Sequence, residues 1–165
     1  MTKADRLAEV LDEFLGVSTE AEAAAVVSSD GLPMASALPP HVEEDRLAAM
    51  SAALLTLGER AAEGLGRGQL GQVFIEGKDG YVVLMAAGPH AVLVAITSRR
   101  AKVGLVLFEM RKAAEEISDV MSEAAASSDR DDESRESAPE PPEPPMRAPE
   151  PVPAAETESS MPSWQ

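Results

Sequence analysis

Two neighbouring stretches, Tyr81 to Ala87 (YVVLMAA) and Ala91 to Ile96 (AVLVAI), are apolar without alternation. A strand with one wet face alternates apolar and polar residues; these do not, so both their faces must be covered. Only Gly88-Pro89-His90 separates them, a turn signal that makes them a hairpin. A third run, Gln72 to Glu76 (QVFIE), precedes them across the loop Gly77-Lys78-Asp79-Gly80. The chain must therefore supply helices to both sides of an antiparallel sheet.

Three helical patterns are present. Leu7, Val10, Leu11, Phe14 and Leu15 form one apolar stripe, predicting a helix from Lys3 to about Leu15. Thr2 with Asp5 three residues on offers its N-cap, and Gly16 its end. Ala23 to Ser28 then reads as a short buried strand, and Ser29-Asp30-Gly31 as a turn in which glycine supplies a positive φ. Met34 to Ala37 is the returning strand, with Pro33 suited to a strand start or edge. Pro39-Pro40 breaks the chain before a second helix, from about Glu43 to Glu63. Its first acids, Glu43, Glu44 and Asp45, suit the helix dipole. Leu47, Met50, Leu54 and Leu57 repeat at helical spacing, while Ala48, Ala49, Ala52 and Ala53 fill much of the rest. A helix apolar on more than one side needs cover on more than one side. The sheet offers one cover and a second protomer the other. The third helix runs from about Ala101 to Met121 on Val103, Val106, Leu107, Met110, Ala114, Ile117 and Val120. The resulting order, α-β-β-α-β-β-β-α, is an α+β domain over residues 1–121.

Composition changes sharply after Met121. Residues 122–165 hold nine of the 13 prolines and eleven acids against three bases. With almost no branched apolar residues, this segment is expected to be a disordered acidic tail, extended around 139–153. It reads as a spacer, or as a docking tail for a partner protein through PEPPEPP or the terminal MPSW with Trp164.

Several functions are excluded. A net charge of −15 argues against a nucleic-acid partner, since phosphate contacts need clustered Lys and Arg. No apolar run approaches the roughly 20 residues that span a bilayer, so no membrane insertion is expected. No signal peptide is visible, which points to the cytoplasm. There is no cysteine, and His41 and His90 stand far apart beside prolines, so no metal site or cofactor is expected. The segment Gly64 to Gly71 has four glycines but follows a helix and lacks the Gly-Lys-Ser/Thr ending of a phosphate loop. Ser28 and Ser29 read as turn formers, and Glu43-Glu44 and Glu115-Glu116 as solvated helix faces. No nucleophile–base pair emerges, so the chain is not expected to be an enzyme. The most interesting charges are Arg99 and Arg100, in a loop of an otherwise acidic molecule. Guanidinium groups there suit an acidic or phosphorylated partner.

Three strings, VSSDGLPMAS (27–36), DRLAAMSAALLTLGERA (45–61) and KVGLVLFEM (102–110), lie along this order of elements. With Gly80-Tyr81, their order and spacing resemble the roadblock/LC7 family. The likeness is to its bacterial members encoded beside small Ras-like GTPases, including the actinobacterial conservon type. The resemblance covers about residues 5–121. It implies a profilin-like five-stranded antiparallel sheet with the second helix on one face and the first and third on the other. It also implies a homodimer joined through the second helix and third strand, with Arg46, Ala49, Met50, Ala53, Val73, Phe74 and Ile75 at the interface. The family carries no shared catalytic residue, and its bacterial members bind, scaffold or regulate a GTPase. The expected function is a non-catalytic dimeric regulator of a small GTPase, with Arg99 and Arg100 in partner binding. The alternative is a small-molecule sensory or adaptor domain of similar architecture. That reading needs convergent polar groups in an apolar pocket, and the core strands offer almost none.

Overall fold

The computed structural model describes residues 1–136, with side chains as far as residue 126. The elements are α1 (Lys3–Val17), β1 (Ala21–Ser28), β2 (Pro33–Ala37), α2 (Glu44–Gly64), β3 (Gln72–Glu76), β4 (Gly80–Ala86), β5 (Ala91–Ser98) and α3 (Val103–Glu136). The five strands form one sheet in the order β2-β1-β5-β4-β3, every neighbouring pair antiparallel.

The non-alternating strands lie where the sequence pattern requires. β1 and β5 are buried over five consecutive residues each, Ala23 to Val27 and Ala91 to Ala95. Alternate side chains then feed two separate cores. Ala24, Val26, Val83, Met85, Leu93 and Ala95 meet Leu7, Leu11 and Phe14 of α1 and Val106, Met110 and Ile117 of α3. Ala25, Val27, Leu84, Val92 and Val94 meet Leu47, Ala48 and Leu55 of α2. α1 and α3 run antiparallel, since Arg6 pairs with Glu123 at one end and Glu13 with Lys112 nearer the other.

Several boundaries differ from those the sequence predicts. Gly16 does not end α1. The helix continues to Val17 and closes at Ser18, whose N–H donates to the Phe14 carbonyl at 2.8 Å. β1 starts at Ala21 rather than Ala23 because pairing with Thr97 of β5 extends it. α3 does not stop at Met121 but continues to Glu136, so the first part of the expected disordered tail, 122–136, is helical. Loss of apolar residues marks where burial ends, not where helix ends; Ala124 to Ala126, Glu133, Arg135 and Glu136 carry good helix propensity, although Asp129, Asp131 and Asp132 do not. The rest of the expected tail, 137–165 with its polyproline stretch and Trp164, lies outside the described residues.

The cap predicted from Thr2 and Asp5 is a reciprocal capping box. The Thr2 hydroxyl donates to the Asp5 carboxylate at 2.7 Å and the Thr2 N–H at 2.8 Å. These bonds hold the Asp5 carboxyl below its ordinary value of 3.8. A depressed folded-state pKa stabilises above the unfolded value, and that contribution disappears as pH falls through the folded value. Thr2→Val should move the Asp5 titration midpoint up towards 3.8, as read by NMR of the carboxyl carbon. At the start of β4, a β-carbon on Gly80 would collide with the Thr97 carbonyl oxygen of β5. Gly80→Ala should therefore lower stability by about 1–3 kcal/mol in a denaturant titration.

Candidate functional site

α2 has two faces of different character. Leu47, Ala48, Ser51, Ala52 and Leu55 are buried towards the sheet. The outward stripe Arg46, Ala49, Met50, Ala53, Leu54 and Leu57 is exposed, with Met50 at 48%, Leu54 at 37% and Leu57 at 67%. Apart from Arg46 this stripe is apolar, and it turns through successive i, i+3 and i+4 steps along one side of the helix.

Beside it lies β3, the last strand of the sheet, paired with β4 alone. Its free edge presents unpaired backbone groups and carries charge only at Glu76, one end of the strand. An uncharged apolar edge is unusual in a protein that stays monomeric. Gly58 lets α2 approach this strand: a β-carbon there would sit 3.0 Å from both Leu70 Cδ2 and Val73 Cγ2. The helix stripe and the strand edge are thereby adjacent.

The seven residues expected at a dimer interface are placed as follows. Arg46, Ala49, Met50 and Ala53 are all on the exposed stripe. Val73 is turned inward onto the α2-side core, so it offers only its backbone at the edge. Ile75 is exposed on that same side. Phe74 is exposed on the opposite side of β3, stacked on Tyr81 with ring centroids 5.2 Å apart. Leu54 and Leu57 also belong to the stripe. Their spacing from Leu47 makes them look like core, but helical drift carries them outward, and Leu55 takes the inward position.

Arg99 and Arg100 are exposed in the turn after β5. The structure separates their roles. Arg99 Nη1 donates to the Lys78 carbonyl at 2.8 Å, tying the β5–α3 turn to the β3–β4 loop. Arg100 contributes a backbone N–H to Ser98 Oγ at 3.3 Å. The same corner of the molecule also carries acids, since the Lys102 N–H donates to Glu20 Oε2 at 3.0 Å and Lys78 is flanked by Glu76 and Asp79 in the chain. Among the described residues, no group of three or more His, Asp or Glu is placed to hold a metal ion, and no helix is long and apolar enough to cross a membrane. The buried polar side chains among them are Ser18, Ser51 and Thr97.

Residues 7–97, from α1 to β5, match the family model described as the Roadblock/LC7 domain. An uncharacterised protein of Methanocaldococcus jannaschii is 39% identical over 92 residues, spanning 56% of this chain and 80% of its own length. A solved structure described as MglB with tetrameric arrangement superposes with a TM-score of 0.69 at 26% identity, covering 75% of this chain and 93% of its own. A Roadblock/LC7 domain from Streptomyces avermitilis gives a TM-score of 0.54 at 32% identity, covering 68% and 98%. Acanthamoeba castellanii profilin IB, at 14% identity and a TM-score of 0.53 over 68% and 96%, shares the fold alone.

The two arginines are separable by experiment. Arg99→Ala should speed amide exchange in the loop from Gly77 to Gly80 while costing no more than about 1 kcal/mol globally, as expected for an exposed contact. Arg100→Ala should leave that exchange unchanged.

Proposed function

The chain belongs to the roadblock/LC7 family, and from that premise we propose that it is a cytoplasmic, non-catalytic, homodimeric regulator or scaffold of a small Ras-like GTPase. The observation that carries this reading is the apolar α2 stripe lying beside the open β3 edge. Two copies related by a two-fold axis can pack stripe on stripe and join their β3 edges, extending the sheet across both protomers. Arg46, Ala49, Met50, Ala53 and the edge Val73-Phe74-Ile75 then lie at the contact, with Leu54 and Leu57 added to it.

Magnitudes favour association. Full burial of a large apolar side chain stabilises by roughly 1.5–3 kcal/mol. Met50, Leu54, Leu57 and Ile75 from two protomers make eight such groups, each already partly covered. Burying the remainder supplies on the order of 10 kcal/mol, comparable with the roughly 4–15 kcal/mol lost in association. Hydrogen bonds along the joined edges come in addition.

In this reading the GTPase docks on the dimer or its rim, and Arg99 and Arg100 meet acidic or phosphate groups of that partner. The role is either GTPase activation or adaptor binding. Arg100 is the stronger candidate, since its only hydrogen bond is made by its backbone N–H and its guanidinium is unengaged among the described residues, whereas Arg99 braces a loop.

Light scattering after gel filtration should give a dimer mass for the full chain. Met50→Asp combined with Leu57→Asp should raise the dimer dissociation constant by at least about 100-fold, since each interface would bury four carboxylates. A Ras-like GTPase from the same genome, loaded with GDP or with a GTP analogue, should bind the wild-type dimer in at least one state. Absence of binding in both states would overturn the proposed role.

A further inference from the structure

On the side of the sheet opposite α2, α1 and α3 leave a groove of about 160 Å³ between their outer surfaces. Its apolar lining comes from Val10, Phe14 and Val17 of α1 and Leu105, Phe108 and Ala113 of α3. Phe108 is 68% exposed and Val17 63%, unusually open for such side chains. The α3 half of this groove lies beyond residue 97, where the family match ends. The proposed dimer face leaves the groove free.

The polar residues along it are Glu13, Glu109, Lys112 and Glu116. The single cation is shared by two of the acids, with Lys112 Nζ 3.5 Å from Glu13 Oε1 and 3.6 Å from Glu116 Oε1. The third acid is different. Glu109 Oε2 is buried and accepts no hydrogen bond. A buried acceptor without a donor is costly, and a cationic donor answers it best.

We propose that this groove is the docking site for an amphipathic basic helix of a partner protein, with apolar anchors seated against Phe108 and Leu105 and a Lys or Arg reaching Glu109. The shape suits a helix. The groove follows α3 from Leu105 to Glu116, about three helical turns, between two antiparallel helices that a third can straddle. The charge selects the occupant. The chain's own segment 137–165 carries five acids against one base and would be repelled by the acidic rim. A second copy would set Glu109 and Glu116 against their own kind, and an anionic lipid surface would meet the same repulsion.

The test uses the full chain and a labelled synthetic helical peptide of about 18 residues, Leu and Phe on one face and Lys flanking them. A control peptide carries Glu at the Lys positions. Fluorescence anisotropy should show binding of the Lys peptide, weakening as salt rises from about 50 to about 200 mM. It should show none for the Glu peptide. Phe108→Ala should weaken binding at least about tenfold. Glu109→Gln should weaken it about fivefold or more and flatten the salt dependence. Phe108 is exposed and neither Phe108 nor Glu109 belongs to the sheet core, so both variants should keep the wild-type circular dichroism spectrum. The Met50→Asp, Leu57→Asp variant should bind the Lys peptide undiminished, which separates this site from the dimer face. Failure of the Lys peptide to bind, equal binding of both peptides, or indifference to Phe108→Ala and Glu109→Gln overturns the proposal. So does binding of phosphatidylserine vesicles through Phe108, or a fall in oligomer mass on Phe108→Ala, which would make a second copy the occupant.

Discussion

β1, β5 and the second half of β4 have no polar face to offer water, and the rest of the molecule answers that constraint. Leu84, Val92 and Val94 point one way, while Val83, Met85 and Leu93 point the other. The two sides are answered unequally. One side receives two helices, α1 and α3, and the other receives α2 alone. Five strands span about 19 Å across the sheet, whereas a helix with its side chains covers about 10–12 Å. A lone helix must therefore leave part of its face wet. The shortfall falls at the β3 end, where Val73 and Val82 are only partly buried and Ile75 is exposed. The incomplete cover sits beside the apolar stripe of α2, so a single further element, such as a copy of α2 with its β3, answers both deficits.

Most of this was legible because it depends on periodicity. The non-alternating runs fixed which strands are central, and the turn residues between them fixed the antiparallel pairing. Positions where two signals compete were harder to read. In α2, Leu47, Met50, Leu54 and Leu57 lie three or four residues apart and look like one stripe. Over ten residues, however, a helix turns far enough that Leu47 faces the sheet and Leu57 faces away. In α3, apolar periodicity stops near Met121 and the helix does not, because a helix can continue beyond the face that it buries. At Gly16 a residue that commonly ends helices is overruled by the Ser18 cap two residues later. Arg99 was visible as an unusual charge, but its bond to Lys78 links residues 21 apart in sequence and has no local signature. Glu109 gave no signal at all, since an acid amid KVGLVLFEM looks like any solvated helix position. Only the folded structure reveals that its Oε2 is withdrawn from water.

The two exposed apolar surfaces differ in the chemistry at their borders. The α2 stripe has Arg46 at one end and a free strand edge alongside, features that a symmetric partner can match because opposite ends meet across a two-fold axis. The α1–α3 groove is bordered by three acids and one shared lysine, so a symmetric partner is excluded and a basic one selected. Like apolar content thus leads to unlike partners, decided by the few charges at the rim. The strongly acidic balance of the chain acts in the same sense, keeping copies apart everywhere except where apolar area outweighs repulsion.

A back-to-back arrangement of these surfaces has a further consequence. In the proposed dimer the α2 helices lie at the centre, so the two α1–α3 grooves face outward, one from each protomer. Both grooves are held by the same joined sheet, and their separation is fixed rather than set by a flexible linker. A partner bearing two basic helices at a matching span then binds the second at an effective concentration far above its bulk value, whereas a partner with a mismatched span gains nothing. Dimerisation at one surface in this way sets the valency of the other. An individual groove, with one uncovered phenylalanine and one unanswered carboxylate oxygen, selects by charge alone; pairing of the α2 stripes adds selection by span.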